Sequence, residues 1–180
     1  MPAILRTLQR LINLFDESEI DYMIIGGYAL PFYGRIRTTV DLDLAVAVNS
    51  RDKFERLVSV LRSADFEPTI CSLSNPLILA VDRKERIEFE LWIKPDGIVF
   101  DEETLKRRRK ADLSQGISAW IVSPEDFIVT KLARPDRGAT DEQDVKSVLV
   151  RQDGKLDEAY LEKRAQEAGV LTILKTIQST

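Results

Sequence analysis

Strands alternating with helices over residues 1–122, then a pattern that is helical throughout 123–180, predict an α+β fold: a twisted mixed sheet flanked by helices, with a helical C-terminal part. Two further observations carry that expectation. A buried apolar run ending at Ile25 enters a Gly26-Gly27 turn and a short helix before a second apolar run at 40–48, and further apolar runs at 77–81, 87–93 and 117–122 read as strands. The 180 residues suffice for one core, so 1–122 is expected to form an α/β core on which the extension 123–180 packs within a single unit.

Each element has a local reason. Leu5, Leu8, Ile12 and Phe15 recur at helical spacing over residues 3–18. The run Ile20 to Ile25 reads as a buried strand, and two glycines turn it into a helix beginning near Tyr28, whose Tyr28, Phe32 and Tyr33 are expected in the core. The segment Val40 to Val48 is apolar enough for the inside of a sheet but is interrupted by two acids, Asp41 and Asp43. Asn49-Ser50 opens a second amphipathic helix, Arg51 to Ala64, with Phe54, Leu57, Val58 and Leu61 on one face. Along 87–93 alternation puts Ile87, Phe89, Leu91 and Ile93 on one face and Glu88, Glu90 and Trp92 on the other. Ser123-Pro124-Glu125-Asp126 supplies a cap, a first-turn proline and first-turn acids to a helix that displays Lys131. Breaks at 136–138, Asp153-Gly154 and Gly169 divide the remaining helical pattern.

Composition narrows the chemistry. The chain has no histidine, which excludes imidazole bases, Ser-His-Asp triads and His-ligated zinc. A single cysteine, Cys71, cannot form an internal disulfide. Hydrophobic residues make up 44%, with no stretch long enough to span a bilayer and no signal-peptide pattern, so a cytoplasmic protein without a membrane partner is expected. The net charge of −4 carries no general nucleic-acid signature. One local exception is Lys106-Arg107-Arg108-Arg109-Lys110, directly preceded in part by Asp101-Glu102-Glu103, which can neutralise it.

Asp41 and Asp43 point to one side of a strand, with α-carbons about 6.5 to 7 Å apart, while Val40, Leu42 and Leu44 point to the other. Two carboxylates so placed suit Mg²⁺ or Mn²⁺, hard cations that take oxygen ligands. Asp is depleted in strands, and its double appearance inside an apolar segment distinguishes a site from acidic decoration of an edge strand.

The pattern Gly-Gly-Tyr-Ala-Leu, then Arg37-x-Thr39-x-Asp41-x-Asp43, resembles the nucleotidyltransferase superfamily with the DNA polymerase β-like fold. Within it the chain is similar to the bacterial branch of abortive-infection, toxin–antitoxin and antibiotic nucleotidyltransferases, over residues 5–150. The resemblance implies transfer of a nucleoside monophosphate from an NTP to an unidentified acceptor, RNA, protein or small molecule, with pyrophosphate leaving. A toxin-like role beside a partner protein is among the roles it implies. Asp41, Asp43 and a third acid would hold the metal ions, and Gly26, Gly27, Arg37 and Lys131 the nucleotide. Gly27 replaces the usual serine, leaving more of the phosphate binding to backbone N–H groups.

The third acid is Glu88 or Glu90. The family order of basic, apolar and acidic residue falls on Arg86-Ile87-Glu88, so Glu88 is the expectation, with Glu in place of the usual Asp. The acids Asp141 and Asp144, three apart on a helix, are expected to order Lys131 and Arg137 structurally. The departures at Gly27 and Glu88 also fit a fold kept without turnover as a nucleotide-binding or partner protein, and a Mg²⁺-dependent phosphohydrolase is a third reading.

Overall fold

The computed structural model describes residues 1–114 and 116–179. The N-terminal amphipathic pattern forms α1 (Ala3–Glu17), which buries Leu8, Leu11, Ile12 and Phe15. Three residues, Tyr22–Ile24, form β1, and all three are buried. Ile25 remains extended; Gly26 then adopts φ +64° and opens α2 (Gly26–Tyr33) two residues before the expected start. Of its aromatics only Tyr33 is fully buried, donating its hydroxyl to the Val122 carbonyl at 2.8 Å, while Phe32 reaches solvent.

The next strand is shorter than its apolar run: β2 is Asp43–Val46, paired antiparallel with β1 from Ile24↔Leu44 to Tyr22↔Val46. The chain of β1 turns away into α2 at Gly26, so residues 35–42 have no β1 residues to pair with and run outside the regular sheet. Val40, expected in the core, is accordingly 77% exposed, whereas Leu42 and Leu44 are buried as alternation requires.

Ser50 caps α3 (Arg51–Ser63) by accepting the Lys53 N–H, and Leu57 and Leu61 face inward. There follow β3 (Phe66–Ile70), β4 (Leu77–Asp82), β5 (Ile87–Trp92), α4 (Glu102–Arg107), β6 (Arg109–Ser114) and β7 (Ile117–Ile121). The helical remainder is α5 (Pro124–Ala133), α6 (Ala139–Arg151), α7 (Glu158–Glu167) and α8 (Leu171–Gln178). Its interruptions fall at the expected breaks.

The seven strands form one mixed sheet in the order β3-β4-β5-β2-β1-β7-β6. The pairs β2–β5 and β1–β7 are parallel, and the remaining pairs antiparallel. β3, β6 and α4, not foreseen from the sequence, include both sheet edges. One buried apolar cluster runs from Leu8 of α1 to Leu174 of α8. At its centre lies α5, which buries almost every side chain from Pro124 to Leu132, including Glu125, Asp126 and Lys131. Among the described residues no helix is long and apolar enough to cross a membrane.

Candidate active site

The sheet register places the acids. Asp43, the first residue of β2, lies directly beside Glu90 of the parallel strand β5. Asp41, two residues earlier, approaches the same place from the irregular segment. All three line a cavity of about 190 Å³ that also includes Gly26, Lys131 and Arg134. The floor is the turn before α2: a Cβ on Gly26 would collide with the Asp43 carboxylate, and its positive φ disfavours any other residue independently.

Glu88, the acid preferred from sequence, is not brought to this cavity. It shares the face of Glu90 but sits two residues nearer the start of β5, exposed, and pairs across the sheet with Val81. The strand register accounts for this placement: Asp43 is level with Glu90, and one step of period two carries Glu88 beyond the end of the acid cluster.

Lys131 reaches the cavity from the opposite wall. Its Nζ is 2.9 Å from Asp141 and 3.5 Å from Asp144, both on α6, so the expected ordering of the lysine by these acids is seen directly. Asp144 is fully buried because it also accepts Arg35 Nε at 2.8 Å and Arg37 Nη2 at 3.1 Å. Arg37, expected at the nucleotide, is therefore placed on Asp144 rather than in the cavity lining, and with Arg35 it ties the segment carrying Asp41 to α6. Arg137, by contrast, faces Glu142 at 3.7 Å.

Electrostatics mark Asp43. Burial, then the neighbouring charges of Glu90 and Asp41, push its carboxyl up to about 7 against the pull of Lys131. A group of like charges held together in this way is relieved by a cation with oxygen preference. Among the described residues no three carboxylate or thiol groups already converge as a preformed metal cage.

Trp92, Asp96 and Arg134 also line the cavity. Trp92 donates its indole N–H to Glu90 Oε2 at 3.0 Å, fixing one carboxylate oxygen. Asp96 accepts the Thr130 hydroxyl through its backbone carbonyl, and burial raises its side-chain carboxyl above the usual range. Arg134, one helical turn after Lys131, pairs with Asp136 at 2.9 Å. The alternation along β5 contained the signal for Trp92, since it shares a face with Glu90.

The cationic run has partners within the chain, although Lys106, Arg109 and Lys110 stay exposed. Lys106 pairs with Glu102, Arg107 with Asp157 at 2.8 Å, and Arg108 with Asp21 at 3.0 Å and the Tyr22 carbonyl at 2.8 Å. Arg109 lies over the ring of Tyr33, and Lys110 over that of Trp120.

Residues 4–171 match the model of a family described as "Nucleotidyl transferase of unknown function (DUF2204)". Among solved structures, the antibiotic-resistance factor ANT(2'')-Ia aligns with a TM-score of 0.61 at 14% identity, covering 99% of each chain. The same factor in complex with adenylyl-2''-tobramycin aligns at 0.59 and 13% identity, over 90% of this chain and 97% of that one. The lincosamide antibiotic adenylyltransferase LnuA, with lincomycin bound, aligns at 0.54 and 12% identity, over 79% and 94%. An antigenic nucleotidyltransferase-like protein from Paracoccidioides brasiliensis aligns at 0.55 and 20% identity, over 93% and 89%. At these identities the likeness is one of fold: a mixed sheet flanked by helices. No curated protein matches the sequence.

Proposed function

Since the chain belongs to the nucleotidyl transferase family of unknown function DUF2204, we propose that it moves a nucleoside monophosphate from an NTP to an acceptor hydroxyl in the cavity bounded by Asp41, Asp43 and Glu90. The observation that carries this reading is the register of β2 and β5, which sets Asp43 beside Glu90 over the Gly26 turn. In the reaction the acceptor oxygen forms a bond to the α-phosphorus, the bond from that phosphorus to the bridging oxygen breaks, and pyrophosphate leaves with the electron pair.

The donor set fits Mg²⁺ or Mn²⁺: carboxylate oxygens around a buried aspartate, with nucleotide phosphates to complete the shell, in the manner usual for Mg²⁺. When bound at Asp41 and Asp43, such an ion supplies charge neutralisation and orientation of the phosphates. Glu90 takes the proton of the acceptor hydroxyl, its other oxygen held by Trp92. The N–H groups at the start of α2 face the phosphates, and Lys131 offsets their charge. Positioning and charge stabilisation supply most of the rate enhancement in such transfers.

A small hydroxylated molecule is the acceptor class best supported. Arg107 and Arg108 of the cationic run that could have drawn in RNA are engaged in ion pairs with Asp157 and Asp21, and ANT(2'')-Ia and LnuA, by their names, are an antibiotic-resistance factor and a lincosamide antibiotic adenylyltransferase. A toxin-like role on a macromolecule, in a toxin–antitoxin or phage-defence setting with a partner protein, is the second reading. It is favoured by Ile36 and Val40, 83% and 77% exposed on the segment that carries Asp41.

The test incubates purified protein with Mg²⁺, each α-labelled NTP, and small-molecule, RNA and protein fractions, beside Asp41→Asn/Asp43→Asn. Label transferred by the wild type and not by the folded double variant supports the reaction and identifies the acceptor class. Equal Mg²⁺-dependent nucleotide binding by both proteins would overturn the site assignment.

A further inference from the structure

The cavity wall holds a fourth acid, Asp96, that the transfer chemistry does not use. It stands at the corner of a tight turn after β5, where the Ile98 N–H returns to the Pro95 carbonyl at 3.3 Å and both of those residues are buried. The turn is fixed to α5 twice. Gly97 is left-handed at φ +68°, and a Cβ there would stand 2.9 Å from Ala133 and 3.0 Å from Val129. The Thr130 hydroxyl donates to the Asp96 carbonyl. Asp96 is thereby held in place on the same helix wall as Lys131 and Arg134.

Its carboxylate, partly buried, makes no hydrogen bond or ion pair among the described residues. The nearest cation does not satisfy it: Arg134 gives Nε and Nη2 to Asp136 at 3.1 and 2.9 Å. Lys131, the other cation of the lining, is taken by Asp141 and Asp144. A carboxylate drawn partly out of water without a partner costs free energy that a ligand cation would return. We propose that Asp96 selects the acceptor, a small molecule carrying both a hydroxyl and a protonated amine, by pairing with the amine while the hydroxyl stands at Glu90. The inference rests on the nucleotidyl-transfer reading above. An ammonium beside a carboxylate keeps its proton and is no nucleophile, so the hydroxyl of the same molecule is the group that reaches the α-phosphorus.

The small-molecule fraction, split at neutral pH on a cation exchanger into retained and unretained pools, tests this with Mg²⁺, each α-labelled NTP, and the wild type beside Asp96→Asn. A portion of the retained pool is N-acetylated to neutralise its amines, and RNA and protein fractions run in parallel. Expected is label in the retained pool alone, lost on N-acetylation, with initial transfer by Asp96→Asn about tenfold slower at subsaturating acceptor. Calorimetry with Mg²⁺ and α,β-non-cleavable NTP analogues should give both proteins one nucleotide affinity, and thermal unfolding one midpoint. Label confined to the unretained pool, RNA or protein, label that survives N-acetylation, or equal rates for the two proteins overturns the role of Asp96 and leaves nucleotidyl transfer standing. Nucleotide affinity weakened as much as transfer makes Asp96 a nucleotide contact and overturns it too. Failure of the wild type to label any fraction overturns the transfer reading and this inference with it.

Discussion

At Gly26 two independent demands meet. The backbone is left-handed at φ +64°, which costs an L-residue about 1 kcal/mol or more, and the space a Cβ would enter already holds the Asp43 carboxylate. Gly26→Ala is therefore expected to lower stability by about 1 to 2 kcal/mol and to lower nucleotide affinity more than Gly97→Ala does. Gly97 is also left-handed (φ +68°), but its Cβ would meet Ala133 and Val129 rather than an acid of the site. Denaturant unfolding and nucleotide titration of the two variants provide the check. Trp92 offers a second case: Trp92→Phe keeps the ring and removes the N–H that holds Glu90. Turnover should fall several-fold while the NTP KM stays near wild type; a raised KM with unchanged kcat would instead make Trp92 a nucleotide-contact residue. The residue-level reading from sequence located Asp41, Asp43, Gly26 and Lys131 at one cavity because strand alternation and a glycine turn are local signals. It selected Glu88 over Glu90 because register against β2 is a long-range property that no local pattern encodes.

Elements are held to one another by buried charge at several joints, and the end of β4 shows what that does. Asp82, fully buried there, accepts Thr7 Oγ1 of α1 at 2.8 Å, the Lys84 N–H at 2.9 Å, and Arg10 of α1. Burial alone would raise the Asp82 carboxyl, but hydrogen bonds from Thr7, Arg10 and the Glu85 N–H, with the charge of Arg10, outweigh it and hold it below the usual range. A carboxyl lowered on folding contributes stability that is complete above its unfolded value, about 3.9, and is lost as pH falls through the folded one. Asp82→Asn is expected to cost about 2 kcal/mol at neutral pH, with the gap to wild type narrowing below about pH 4. A gap independent of pH in denaturant titrations would assign the loss to shape rather than charge. The two strands that escaped the sequence have a common cause. Within β3, Phe-Glu-Pro-Thr-Ile contains a proline and an acid, and β6, Arg-Lys-Ala-Asp-Leu-Ser, is mostly polar. Both are sheet edges, where one side faces no partner and apolar patterning relaxes. The central strands announced themselves through apolar runs, β1 and β2 because they are buried almost throughout and β4, β5 and β7 because one face packs on the core.

For the whole molecule the decisive property is where charge is spent. Five consecutive cations in a chain of net charge −4 would suggest a polyanion-binding face, yet each has an acid, carbonyl or ring beside it. The protein is expected to pass a heparin column unretained at physiological ionic strength. Retention that weakens steeply with salt would return RNA to the acceptors under consideration. Nucleotide should act on the whole fold through mass action: NTP with Mg²⁺ at a hundred times its Kd is expected to add about 2.7 kcal/mol to stability. The thermal midpoint would then rise by several degrees, a shift absent from Asp41→Asn/Asp43→Asn. The cavity draws on both halves of the chain, and that has a consequence on the ribosome. Asp41, Asp43 and Glu90 are synthesised well before Lys131, and Asp141 and Asp144, which order that lysine, come later still. β1, a strand of three residues, also waits for β7 to close its second side. A nascent chain therefore carries the clustered acids without their cationic wall until α6 has emerged, so nucleotide capture is expected only after that helix is made.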